Sequence, residues 1–326
     1  MRIAHISDIH ADTSSAFQNR FHALLHSIGN QRIDHLMITG DLTDKATGEE
    51  YEVVIRILNE YGFSSGENIT VIPGNHDLYP SVYQSFTFRL STLRQEFRED
   101  PVRVTKELYR VLRAYRKFTP EIYRKALHEF VSRFQWTFDN AISLGPEATG
   151  GFPYLKHLND EYAAVCLESN YVSPHIKSIL PYALIKYAIT KDMFAASDSP
   201  ICSNGWIDIE LLNRALFHPE VKHKKLIILL HHYLYPQDQV LKYMSKDFER
   251  TMTLVNKNHF LDVVRESNPE LILHGHWHVT EEYSLCNGRI RALNGGGLFQ
   301  QNRATWNLIT LTGDGLTRSE INFIAS

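Results

Sequence analysis

Strand-like and helix-like patterns alternate through the first eighty residues, and this alternation does most to limit the folds open to the chain. Met1-Arg2-Ile3-Ala4-His5-Ile6 reads as a first strand that ends in Asp8-Ile9-His10. Phe17, Phe21, Leu24, Leu25 and Ile28 recur at helical spacing and predict a helix over 17–28, with His22 and His26 on its surface or boundary. Leu36 to Ile38 reads as the second strand, running into Gly40-Asp41-Leu42-Thr43-Asp44. A helix is expected from about Glu49 to Tyr61, with Val53, Ile57 and Tyr61 along one side. The third strand, Ile69 to Ile72, runs into Pro73-Gly74-Asn75-His76-Asp77. A β-α-β-α-β order argues for a largely parallel sheet with right-handed crossovers. Gly40 permits a tight turn where the second strand stops, which puts Asp41 at the strand's carboxyl end, where open α/β sheets hold their ligands. If the first strand stays extended, Asp8 and His10 lie on the same side of the backbone and reach one ion together.

The rest of the chain repeats the theme after an interruption. In 81–139, Asp100 and Thr119 each precede a proline, the signature of an N-cap followed by Pro at the first helical position. Val104, Leu108, Val111, Leu112 and Tyr115, then Tyr123, Ala126, Leu127, Phe130, Phe134 and Phe138, predict an αα-hairpin. Twelve Lys/Arg against seven Asp/Glu give this insertion a net +5 in a chain that is −3 overall. Such an insertion is either a packed unit with a solvated basic face or a cap that draws an anionic substrate. Strands are expected at Phe152–Lys156 and Tyr162–Leu167, an irregular insertion at 173–204, and a helix at Ile207–Phe217. Leu226 to Leu230 is apolar throughout, as a buried parallel strand is, and His231-His232 follow at once. Phe260–Val264 reads as a helix, and Leu271–Leu273 as another buried strand ending in His274-Gly275-His276-Trp277-His278. The tail from Thr280 to Phe323 alternates like antiparallel strands.

Five donor-bearing segments thus each follow directly on an apolar run, and strand ends in one sheet would bring them to one edge. The chain holds 17 histidines, and scattered structural histidines have no reason to fall just beyond successive strands. Carboxylates, imidazoles and one amide oxygen, with no thiolate, suit manganese, iron or zinc rather than copper(I). The three cysteines, Cys166, Cys202 and Cys286, give no disulfide framework, and Cys166 is expected in the core. No apolar stretch is long enough for a membrane span or a signal-peptide core, so the expected compartment is the cytoplasm.

Asp8-Ile9-His10, Gly40-Asp41-Leu42-Thr43-Asp44, Gly74-Asn75-His76-Asp77, His231 and Gly275-His276-Trp277-His278 together resemble the calcineurin-like metallophosphoesterase superfamily, in order and across almost the whole chain. The resemblance implies an α/β fold, an αββα sandwich of two sheets with a helical insertion, forming one domain over the chain. It implies two metal ions at the sheets' edge, with Asp8, His10 and His278 on the first, Asn75, His231 and His276 on the second, and Asp41 bridging. His76 would be catalytic rather than a ligand, with Asp44 hydrogen-bonded to it. The implied reaction is hydrolysis of a phosphate ester by hydroxide held between the ions, with His76 assisting the leaving group. Asp77 and Asp12 read as turn or capping residues, and His232 and His274 as supporting or structural residues beside the ligands.

Lys45-Ala46 and Asp77 depart from the serine/threonine protein phosphatases, which usually carry Arg-Gly and a glutamate there; Asp44 departs from the purple acid phosphatases, which carry a tyrosine. The motifs look closest to the cyclic-nucleotide and glycerophosphodiester phosphodiesterases, although His231-His232-Tyr233 differs from the His-His-Pro common in that branch. The expected substrate is therefore a phosphodiester, a small molecule or nucleotide. The alternatives are a DNA nuclease of the repair type and a non-catalytic scaffold, the last disfavoured by the complete donor set.

Overall fold

The computed structural model describes residues 1–78, 100, 102, 120–170, 205–234, 254–298, 304–312 and 315–323. The opening alternation folds as expected: β1 (Arg2–Ile6), α1 (Ser15–Gly29), β2 (His35–Thr39), α2 (Gly48–Glu60) and β3 (Ile69–Ile72). β1 pairs parallel to β2, and β2 parallel to β3. Both helices start at capped ends, since the Ser14 hydroxyl accepts from the Phe17 amide, and Thr47 and Glu50 form a capping box. α2 buries Tyr51, Val54, Ile57 and Leu58; Val53 and Tyr61, expected on the inner side, lie at its margin.

A short helix, α3 (Asn75–Leu78), follows β3, and α4 (Pro120–Arg133) starts at the proline after Thr119. Phe134 and Phe138, expected on the same helix, instead cap and end a 3-10 turn at Gln135–Phe138, so the chain bends while both rings stay in the core. The remainder of the expected αα-hairpin and the insertion at 173–204 lie outside the described residues. There follow β4 (Ala141–Ser143), β5 (Tyr154–His157), β6 (Tyr162–Cys166), α5 (Ile209–Leu216), β7 (Lys225–Leu229), α6 (Lys257–Ser267), β8 (Leu271–His274), β9 (Glu281–Leu285), β10 (Ile290–Asn294), β11 (Ala304–Thr312) and β12 (Gly315–Phe323). β4, three residues long and too short to stand out in the sequence, lengthens one sheet edge.

The strands form two sheets, ordered β12-β11-β1-β2-β3 and β4-β5-β6-β7-β8-β10-β9. Alternation within the second sheet shows the layering. Tyr162, Ala164, Cys166, Ile227 and Leu229 join the larger core shared with the first sheet, α1, α2 and α4. Ala163, Val165, Ile228 and Ile272 join a second core with Leu212 and Ala215 of α5 and Phe260 and Val264 of α6. β6, β7 and β8 are thus covered on both faces, which is why Ala163–Cys166, Leu226–Leu229 and Leu271–Leu273 are unbroken apolar runs. The fold is the expected α/β sandwich, helices outside two sheets. The tail departs in one respect: β10 pairs antiparallel with β9 but parallel with β8. Among the described residues no helix is long and apolar enough to cross a membrane.

Candidate metal centre

The donor-bearing segments lie past the carboxyl ends of β1, β2 and β3 in one sheet and of β7 and β8 in the other, so the edge they share belongs to two sheets rather than one. Backbone hydrogen bonds join the segments beyond the strands: Asp8 N–H to Gly40 O at 3.0 Å, His10 N–H to Asp41 O at 2.9 Å, and Gly275 N–H to His231 O at 3.0 Å. The first strand stops at Ile6, so Asp8 and His10 do not converge by extended alternation. Each instead adopts a left-handed conformation, with φ of 53° and 48°. Asp41, His276 and His278 do the same, so five of the eleven non-glycine residues with positive φ among the described residues are candidate ligands. Such conformations cost of order 1–3 kcal/mol each and persist where the surroundings impose them. Gly40 has φ of 97°, and a Cβ on Gly74 would overlap Asp41 Oδ1; both places require glycine.

Three groups of donor atoms gather here: His10, Asp44 and His76 form one on the open side, and the other two share Asp41. Of those two, one holds Asp8, His10, Asp41 and His278; the other holds Asp41, His231 and His276. His10 Nε2 and His278 Nε2 are 3.1 Å apart, and His278 Nε2 is 3.5 Å from Asp8 Oδ1. His231 Nε2 stands 3.0 Å from Asn75 Oδ1, 3.1 Å from His276 Nδ1 and 3.4 Å from Asp41 Oδ2. Ligands about 2.1 Å from a common ion sit roughly 3 Å apart along an octahedral edge. His231 Nδ1 donates to Thr39 O at 2.8 Å. In the neutral ring, then, Nε2 turns a lone pair toward the oxygens of Asn75 and Asp41, a contact that needs a cation or a proton between them. His276 Nε2 is buried with no hydrogen-bond partner among the described residues. On these observations the residues fit a pair of metal ions.

The electrostatics agree. Burial would depress His231, but Asp41, by charge and hydrogen bond, and Asp8 push it up to about 9. Burial alone would raise Asp41, yet His231, His76 and His10 hold it well below the usual carboxylate range. Where no ion is bound, a proton on His231 supplies the cation this oxygen-lined site calls for. Burial, then His76 and His278, hold His10 well below its ordinary value; burial, then His232 and His231, do so for His276. Both rings stay neutral, the form that binds metal.

The two groups that share Asp41 differ in access. Asp41, Asn75, His231 and His276 are buried, whereas the side chains of His10 and His278 are 13% and 45% exposed. His76 lies on the open side, its ring meeting His10 edge to face at 4.5 Å between centroids. Its backbone N–H donates to Asp41 Oδ1 at 2.8 Å. Its Nδ1 donates to the main-chain carbonyl of Asp44 at 3.0 Å, while the Asp44 carboxylate stands 3.8 Å away. The backbone of Asp44 therefore makes the hydrogen bond to His76, with the carboxylate at ion-pair range.

The neighbours have specific partners. His274 is held neutral, its value lowered to about 3 chiefly by burial; its Nδ1–H donates to Gly275 O and its Nε2 accepts from Tyr283 Oη at 2.7 Å. Ser169 Oγ accepts from the backbone N–H of His231 and His232 and donates to His232 Nδ1 at 2.9 Å, fixing the start of that segment. Ser169 carried no signal in the sequence, since a serine after a strand is ordinary. Asp12 caps locally, its Oδ1 accepting from Ser14 N–H at 2.7 Å. Asp77 is no simple turn residue: it is 1% exposed and accepts from groups on two different loops.

The family model for calcineurin-like phosphoesterases matches residues 1–280. No curated protein matches the chain in sequence. Among solved structures, the fold is similar to that of a dimetal phosphatase from Danio rerio, with a TM-score of 0.62 and 11% identity over 100% of this chain and 99% of that one. It is also similar to purple acid phosphatase PPD1 from yellow lupin, with a TM-score of 0.51 and 11% identity over 99% of this chain. This chain covers 51% of the lupin enzyme, about half its length.

Proposed function

The chain belongs to the calcineurin-like phosphoesterase family, and from that premise we propose that it hydrolyses phosphodiesters, with Asp8, His10, Asp41 and His278 holding one metal ion and Asp41, Asn75, His231 and His276 the other. The observation that carries this reading is the sharing of Asp41 by two donor groups beside the partly exposed ring of His76. When bound, two such ions supply Lewis acidity toward the phosphoryl oxygens and a water of lowered pKa. The chain's own residues do the rest. Asp8 and Asp41 return only two negative charges, so the loaded site favours an anionic ester. His10 and His278 leave the substrate an approach from the open side. The Asp44 carbonyl fixes the His76 tautomer with its proton on Nδ1, which orients the ring toward the leaving oxygen. There a protonated His76 serves as general acid.

The diester preference is supported by the motif detail around Asp44 and Asp77, which sets the chain apart from the protein phosphatases and the tyrosine-bearing phosphatases. The test is a manganese-supplemented comparison of bis-p-nitrophenyl phosphate with p-nitrophenyl phosphate. Faster diester turnover, abolished by chelator and restored by Mn²⁺, is expected. Monoester turnover far above diester turnover makes the protein a phosphomonoesterase. Processive degradation of single-stranded DNA with a steep salt dependence makes it a nuclease.

A further inference from the structure

One buried carboxylate near the centre has no place among the donor groups. Asp77 Oδ1 accepts from the Thr43 backbone N–H at 3.0 Å and from Thr43 Oγ1 at 2.9 Å. Its Oδ2 accepts from Leu42 N–H at 3.2 Å and Gly74 N–H at 2.9 Å. Leu42 and Thr43 directly follow Asp41, and Gly74 directly precedes Asn75. One carboxylate therefore ties the loop after β2 to the loop after β3. The tie is anchored from outside, because buried Tyr51 on α2 donates its hydroxyl to Asp77 O at 2.9 Å.

We propose that Asp77 is a positioning residue that sets the spacing between Asp41 and the Asn75-His76 pair, and so the spacing of the two ions. The inference rests on the metal-site reading above. Backbone N–H groups cannot reach one another across two loops, since all are donors; a carboxylate, which only accepts, joins them. A charged acceptor also makes each bond shorter and stronger than a neutral one would. Asp8 and Asp41 serve similarly, accepting from His276 N–H at 3.0 Å and His76 N–H at 2.8 Å, but both are committed to the donor groups. His76 adds two bonds across the same gap, to Asp41 Oδ1 and to the Asp44 carbonyl, but among the described residues Asp77 is the carboxylate outside the donor groups that joins the two loops.

The test is Mn²⁺ titration by calorimetry, with electron paramagnetic resonance of the loaded protein and circular dichroism of the metal-free protein, on wild type, Asp77→Asn, Asp77→Ala, Thr43→Val and Thr43→Ser. Wild type is expected to bind two Mn²⁺ with an exchange-coupled spectrum; failure of wild type to bind Mn²⁺ defeats the metal-site reading itself. Asp77→Asn turns an amide N–H₂ toward one pair of donors, and Asp77→Ala removes the acceptor from all four. Mn²⁺ affinity should fall roughly 10–100-fold, more for Ala than for Asn, as for substitutions that misplace a ligand through its hydrogen-bonded support. The coupled spectrum should be lost or altered in variants that stay folded without metal. Thr43→Val should move both readouts the same way by less, and Thr43→Ser should restore them. A folded Asp77→Asn protein with wild-type affinity and coupling overturns the proposal. If neither Asp77 variant folds, the Thr43 pair decides, and a Thr43→Val protein identical to wild type overturns it.

Discussion

Two polar clusters, one buried between the two sheets and one at the carboxyl ends of their strands, are built on opposite principles. Toward the start of β3, the Lys156 ammonium donates to Ile69 O and to Thr137 O, the latter at 2.7 Å. His35 beside it finds Thr70 Oγ1 at 2.8 Å and Glu67 O at 3.0 Å. Each of these side-chain nitrogens has at least one hydrogen-bond partner within the protein, and neither residue needs a left-handed backbone. At the carboxyl ends of the strands the reverse holds. Imidazole faces imidazole at 3.1 Å, a ring nitrogen faces two oxygens, and five residues take left-handed conformations. Buried polar groups normally satisfy one another. A cluster that does not, and that also stores backbone strain, is shaped for something the polypeptide does not supply. The contrast is thus between a cluster complete in itself and one completed by metal.

The strongest way to break the contrast is at Asp41, the residue common to two of the donor groups. Asp41→Asn should lose metal content at both positions and lose activity by more than the roughly 10–100-fold typical of a merely supporting residue. Metal analysis of the purified variant alongside diester turnover checks this. Retention of two ions would remove Asp41 from the bridging position.

A smaller and more selective effect is expected at His76, which the contrast places outside the metal donors. His76→Ala should keep both ions and lose turnover by about 10²–10⁴-fold on an alkyl ester, the range typical of general acid catalysis. The loss should be less on a p-nitrophenyl ester, whose leaving group needs little protonation. If the variant loses its metals, His76 is a ligand, and its proximity to His10 and Asp44 acquires that meaning.

The self-contained cluster predicts a pH effect with no metal in it. Burial lowers Lys156 from 10.5 to about 8. Between about pH 8 and 10.5 the native lysine has released its proton while the unfolded one still holds it. The unfolded state then binds more protons, so this lysine's contribution to stability rises with pH across that window and is constant below it. In metal-free protein, the stability of wild type relative to Lys156→Met should improve by the order of 1–3 kcal/mol from pH 8 to 10.5. Urea unfolding at several pH values measures it, and a gap that stays constant refutes the assignment.

Much of this was legible in the sequence because apolar runs mark where strands lie and which residues stand at their ends. Leu36–Ile38, Ile69–Ile72 and Leu226–Leu230 located three strands to within a residue or two, and with them Asp41, Asn75 and His231. The failures share a cause: they depend on partners distant in the chain. Extended alternation at Asp8 and His10 is a local rule, overridden when Gly40 O and Asp41 O captured their amides. Asp77 looked like a turn residue because its partners, Leu42 and Thr43, lie in another loop. Lys156 looked like any strand lysine until the first sheet, through Ile69 of β3, covered it.

Asp44 shows the limit most clearly and gives the smallest predicted effect. A motif names a side chain, and an aspartate near a histidine suggests a carboxylate-imidazole bond. Here the 3.0 Å hydrogen bond from His76 Nδ1 goes to the main-chain oxygen of Asp44, which no substitution at that position removes. The carboxylate is 39% exposed, 3.8 Å from His76 Nδ1 and 3.6 Å from Lys45 Nζ, so its effect on the ring is that of a solvent-screened, shared charge. Exposed ion pairs contribute about 0–1 kcal/mol, which corresponds to at most about a fivefold change in rate. Asp44→Asn should therefore lower turnover of the alkyl ester by no more than about fivefold and leave metal content unchanged, and added salt should shrink even that difference. Measured beside His76→Ala on the same ester, a loss approaching that of the histidine variant would show that the carboxylate holds the ring after all. A negligible loss would leave the main chain as the element that orients His76.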